Sequence, residues 1–121
     1  MPTIKKISLG AFAAGEIPGP IVHTFLDKNG TAIDIDGWTV LGFYVEGPEG
    51  DVDMGNPTIT DGPNGVVTYE WQADDLQVPG DYSGLLWVQN TVSNPSLRLA
   101  SDRFVWTVED GPGPTPPEVP A

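Results

Sequence analysis

The run from Gly65 to Tyr82 constrains this chain more than any other stretch. Val67, Tyr69 and Trp71 alternate with polar residues, the two-residue period of a half-buried strand. Asp74-Asp75-Leu76 then makes an acidic corner, and the Pro79-Gly80 turn delivers Tyr82 at the start of the next apolar alternation. A chain crossing between the two sheets of a sandwich is built this way, and the tyrosine at the crossing bonds its hydroxyl to nearby backbone. Tyr82, Asp75 and Gly80 are therefore expected to form a structural corner. The Tyr82 ring should be buried and its hydroxyl bonded within residues 74–79.

The rest of the chain repeats the theme of short strands and frequent turns. Its 15 glycines and 13 prolines are spread along 121 residues, so they punctuate many elements. Only 66–78 and 96–110 run long enough without Gly or Pro for a stable helix, roughly twelve residues. The second of these alternates with a period of two and reads as a strand. Residues 2–9 read as a first edge strand, 10–20 as a loop, and Ile21 to Asp27 as a strand ending at the Asn29-Gly30 turn. Ala32, Ile33 and Ile35 read as a short strand segment.

Trp38 to Glu46 reads as a long strand with Leu41, Phe43 and Val45 on one face and Trp38, Val40 and Tyr44 on the other. Short segments at Val52–Met54 and 57–60 precede the turn cluster Asp61-Gly-Pro-Asn-Gly65. Tyr82 to Asn90 and Leu97 to Val108 close the pattern as a hairpin around Asn94-Pro95-Ser96. The sum is seven or eight strands with turns every eight to twelve residues, which is the pattern of an all-β sandwich. Residues 1–108 form that domain. Residues 109–121, with five prolines in the last ten, form an extended arm of polyproline character.

Several function classes fall away on composition. The formal charge is −12, from 17 acids and 5 bases, so a nucleic-acid surface built on Lys and Arg is not expected. There is no cysteine, hence no disulfide and no thiolate metal site. The N-terminus has Lys5 and Lys6 but no apolar run of signal length, and no stretch is long enough to cross a membrane. His23 is the single histidine and reads as a solvated or cross-strand-paired residue, not a catalytic one.

The serines occupy ordinary strand and turn contexts, with no Gly-x-Ser-x-Gly elbow. Asp34/Asp36, Asp51/Asp53 and Asp74/Asp75 are paired acids that could hold calcium, but Asp in a turn more often bonds local amides. Neither a metal, nor a cofactor, nor an enzymatic activity is expected.

Contacts to partners are expected elsewhere. Leu85 and Trp87 lie opposite in phase to Tyr82, Gly84 and Leu86 and should form an exposed apolar spot. Lys5 and Lys6 are adjacent cations on an acidic chain. Pro112, Pro114, Pro116 and Pro117 give the arm a low ordering cost, suited to clamping a neighbour, with a disordered tail as the alternative. The four tryptophans, were they exposed, would suit stacking on a carbohydrate.

In chain order, Asp27-Lys28-Asn29-Gly30, Ile35-Asp36-Gly37-Trp38-Thr39-Val40, Glu46-Gly47-Pro48-Glu49-Gly50, Thr60 to Tyr69, Pro79-Gly80-Asp81-Tyr82-Ser83-Gly84 and Arg103 to Val108 form an ordered set. Across about residues 20–108 this set resembles the immunoglobulin-like N-terminal domain of upper baseplate proteins in tailed bacteriophages, and related small virion domains. The resemblance implies an immunoglobulin-like antiparallel sandwich. It also implies a non-enzymatic structural role in a virion, as a tail or baseplate adapter or as a capsid decoration protein.

Partners would then be other virion subunits, in multiple symmetric copies, with no nucleic acid or membrane. The chain would be made in the host cytoplasm without a signal peptide. Baseplate members of that family continue into a coiled coil and a receptor-facing module, where this sequence runs into prolines. A free-standing carbohydrate-binding sandwich, contacting a host surface glycan, is the alternative.

Overall fold

The computed structural model describes residues 6–55, 57–90 and 97–110. Among these residues nine strands form two sheets. They are β1 (Lys6–Ala13), β2 (Ile21–Thr24), β3 (Thr39–Gly47), β4 (Gly50–Asp53), β5 (Thr58–Asp61), β6 (Val66–Tyr69), β7 (Gly80–Asn90), β8 (Leu97–Ala100) and β9 (Arg103–Glu109). The larger sheet has the order β1-β9-β7-β3-β4, with β8 also pairing β7; the smaller is β2-β6-β5. This is an all-β, immunoglobulin-like sandwich. The single helical element among the described residues is a 3-10 turn, Gly62–Asn64.

Two features differ from the expected layout. The last strand is interrupted, so β8 and β9 are two halves of one path along β7. At the break Ser101, the buried polar residue of the core, bridges the gap: its Oγ accepts from the Leu86 N–H and donates to the Asp102 carbonyl, both at 2.8 Å. The sandwich is also not wholly antiparallel, because β1 pairs with β9 in parallel. That pairing extends β1 through Ala13, into residues expected to be loop. Of the segment 32–35, only an isolated bridge between Leu26 and Ala32 pairs.

Bulges explain where strict alternation misleads. In β1 the register shifts between Ser8 and Gly10, so Ile7 opposes Phe104 while Phe12 opposes Val108. Ile7 and Phe12 thus both turn inward although they are five residues apart. In β3 the shift falls between Val40 and Gly42. Val40, like Trp38, packs against the core alongside Phe43 and Val45, and only Tyr44 of the expected second face points out. Leu41 is the extra residue.

The core is aromatic. Phe43 lies within 4.8 Å of Tyr69, 5.8 Å of Trp106 and 6.4 Å of Trp71 and Phe104, centroid to centroid. Trp71 meets Trp106 edge-on at 5.3 Å. Val67, Leu76, Leu86, Val88 and Val108 fill the spaces between the rings. These residues come from both sheets, so the cluster is what joins them.

Candidate functional site

The corner read from the sequence is built from two tyrosines. Tyr82 is buried at the start of β7, its ring stacked on Trp106 at 5.6 Å with 2° between the planes. Its hydroxyl donates to the Val78 carbonyl. Gly80, at φ 145°, leaves room for Pro48 in the β3–β4 turn, whose Cγ lies 2.6 Å from where a Cβ would stand.

Asp75 belongs to the second tyrosine, not to Tyr82. Its carboxylate accepts from the Tyr69 hydroxyl and from the Gln72 N–H, and the Met54 carbonyl is a second acceptor beside that hydroxyl at 2.9 Å. Burial holds the Tyr69 hydroxyl far above the ordinary phenol range, and the bond to Asp75 and the charges of Asp75 and Asp53 add to the shift. Burial, then the charge of Glu49, also raises Tyr82. Both phenols keep their protons at neutral pH, so they act as hydrogen-bonding ties between the β4–β5 link, the 72–80 crossing and the core.

One member of each acidic pair, Asp34, Asp53 or Asp75, is likewise spent on backbone, as is the unpaired Asp27. Asp27 accepts from the N–H groups of Asn29 and Thr31, Asp34 from Asp36, and Asp53 from Gly55. Among the described residues no three His, Cys, Asp or Glu side chains are grouped to hold a metal ion. No helix among them is long and apolar enough to cross a membrane.

His23 faces inward from β2, edge-on to Phe25 at 4.6 Å and to Phe104 at 5.8 Å. It is neither freely solvated nor paired across the strand by a hydrogen-bonding group. Burial lowers its pKa below 6.5, and the charge of Asp102 opposes that shift only in part. In the unfolded chain the imidazole takes a proton at a higher pH than in the folded one. Stability is therefore full above pH 6.5 and is lost as pH falls through 6.5 toward the folded value. Wild-type melting temperature should drop between pH 7.5 and 5.5. His23→Leu should flatten that drop, and a thermal melt at both pH values reads it out.

The outer face of the larger sheet is where apolar side chains meet solvent. Tyr44 is 48 % exposed there; Val52, 49 % exposed at the β4 edge, pairs with buried Val45 and so lies on the other side of the sheet. Leu85 and Trp87 do point outward, as their phase requires, but they are half-buried, not an exposed spot. Tyr44 stands opposite Leu85, and Gly42 and Ala100 flank Trp87.

A shallow groove of about 440 Å³ crosses this face, with Tyr44 and Leu85 along it, the β4 edge with Glu46, Asp51 and Asp53 at one end and Arg103 at the other. Lys6 is exposed on β1, beside Arg103 in the sheet. Lys5, Pro112, Pro114, Pro116 and Pro117 lie outside the described residues. The sequence reading missed Tyr44 and Arg103 as surface contributors. Their signal was the alternation itself, since each is out of phase with a buried neighbour, Phe43 or Phe104. No protein-family model matches the chain, and neither does any curated protein.

Proposed function

We propose that this chain is a non-enzymatic structural module of a tailed-phage particle, docking on other virion subunits as a tail or baseplate adapter or as a capsid decoration protein. The observation that carries the reading is the use to which the polar side chains are put. Asp27, Asp34, Asp53, Tyr69, Asp75, Tyr82 and Ser101 each hold a turn, a corner or a strand break. What faces outward is a sheet surface with an apolar strip and charges, which suits contact with another protein.

The immunoglobulin-like sandwich is also the fold that the resemblance implies. A carbohydrate platform has less to stand on: Trp71 and Trp106 are core residues, Trp38 and Trp87 are half-buried, and Tyr44 is the exposed ring of the larger sheet.

Particles produced by the genome that carries the gene test the proposal. Quantitative mass spectrometry of purified particles should find this chain at a fixed, multiple stoichiometry to a tail or capsid subunit, and added protein should rebind stripped particles saturably. Absence from the particles, or specific binding on a glycan array, would overturn it.

A further inference from the structure

We propose that the outer face of the β1-β9-β7-β3-β4 sheet is a self-association surface that takes a second copy of this chain across a two-fold axis running along β7. The inference goes beyond the particle reading, because it stands on the pattern of one face and holds wherever the protein works.

Strand register lays out that pattern. Lys6 pairs with Arg103. Leu85, one residue past the Gly84–Phe104 pair, comes beside Arg103. Tyr44 pairs with Leu85 and also with Asp53. One row across the sheet therefore reads Lys6, Arg103, Leu85, Tyr44, Asp53. The next outward-facing row reads Ser8, Val105, Ser83, Glu46, Asp51. All ten alternate with inward residues such as Phe104, Leu86, Val45 and Phe43, apart from the edge strand β4, which is exposed throughout. Positive charge lies at the β1–β9 side and negative charge at the β3–β4 side. Between them β7 turns Leu85 and Trp87 outward, with Asp81 exposed four residues before Leu85, near the start of the strand, where its carboxylate accepts from the Thr107 hydroxyl.

A face of this kind is complementary to itself. A two-fold axis along β7 exchanges the two sides, so β1 of one copy lies over β4 of the other and β9 lies over β3. Lys6 then meets the second copy's Asp53, and the Arg103 guanidinium meets its Tyr44 ring, a cation–π geometry. Leu85 meets Leu85 on the axis. Aligned sheets cross at about 30°, which displaces the outer pairs by roughly one residue, within the reach of a lysine.

The alternative axis, across the strands, would set Lys6 over Lys6 and Asp53 over Asp53. The net charge of −12 opposes association at a distance. At physiological ionic strength that repulsion is screened beyond about 8 Å, so the contacts between the faces decide. Five strands at about 4.8 Å and a length of about 25 Å give a flat footprint of ~500 Å², below the ~800 Å² per partner of a standard interface. The dimer should accordingly depend on concentration.

The full chain, followed by sedimentation equilibrium up to millimolar concentration, should show a monomer–dimer equilibrium. Leu85→Glu sets two like charges on the axis and should abolish the dimer without lowering the melt of the dilute protein. Lys6→Glu and Asp53→Lys should each weaken dimerisation about tenfold or more, and the two together should restore it. If Asp53→Lys destabilises the fold, Asp53→Asn, whose amide oxygen can still accept from the Gly55 N–H, should weaken the dimer by loss of the charge alone.

The chain has no cysteine, so Leu85→Cys should cross-link to a dimer under mild oxidation. Val22→Cys, 61 % exposed on the smaller sheet, should not. A monomer at every concentration overturns the proposal, as does a dimer indifferent to Leu85→Glu, equal cross-linking from both cysteine variants, or no rescue by the double reversal. A chain that stays monomeric but binds a Lys- and Leu-bearing peptide here would also overturn it, in favour of a basic partner.

Discussion

Replacing Phe43 with alanine should lower the unfolding free energy by about 3–5 kcal/mol, the range for emptying a buried aromatic site. Phe43 has no exposed surface, and it packs against rings from both sheets: Tyr69 and Trp71 from the β6 side, Phe104 and Trp106 from β9. Removing its ring leaves a cavity that rigid aromatic neighbours are poorly shaped to refill.

Gly84 adds to the constraint. A Cβ there would come within 2.7 Å of Phe43 Cε1, so a side chain at this point of β7 has no room beside the ring. A domain of this size is typically stable by about 5–15 kcal/mol, so the loss takes away a large part of the total. Urea unfolding followed by tryptophan fluorescence should show a lower midpoint with a similar slope. A change under about 1 kcal/mol would mean that the inter-sheet cluster is not what joins the sheets.

Much of this core could be read from period alone. Val67, Tyr69 and Trp71, and Tyr82, Gly84, Leu86 and Val88, alternate without interruption, and all seven are buried. Where β1 and β3 carry bulges, the period fails. A residue inserted at Leu9 or Leu41 moves every later side chain to the opposite face, and one sequence carries no mark of which residue is extra. The half-covered state of Leu85 and Trp87 was also out of reach, because it depends on which strand lies beside β7. Tyr69 shows the same limit. Its burial follows from alternation, but its bond to Asp75 follows from the path of the 72–78 crossing, six residues further on. The charged row across the larger sheet is a property of register between five strands. No linear spacing places Lys6 beside Arg103.

The turn cluster at residues 61–65 was legible because its chemistry is local, and it gives the second large effect. Gly65→Ala should cost several kcal/mol, well above the ~1 kcal/mol typical of point changes. Gly65 ends the 3-10 turn at φ 74°, ψ 23°, a left-handed conformation that costs a residue with a Cβ about 1–2 kcal/mol. Space is the heavier term. A Cβ would stand 2.6 Å from the Ile33 carbonyl oxygen and 2.9 Å from that of Phe25.

Those are backbone atoms held in place by bonds of their own. The Phe25 N–H donates to the Gly65 carbonyl at 2.8 Å, and the Ile33 N–H donates to the Phe25 carbonyl at 2.9 Å. The Phe25 oxygen cannot withdraw without breaking this network, the Ile33 backbone is tied to it through its N–H, and Phe25 is a core residue. The strain should therefore spread into the end of β2 and the start of β6. Gly30→Ala is the matched control: φ is 83°, similarly left-handed, but nothing stands within 4 Å of its Cβ position. It should show the conformational cost alone. Thermal melts of the two variants separate the terms. If Gly65→Ala falls no further than Gly30→Ala, close packing of backbone at this turn does not limit the fold.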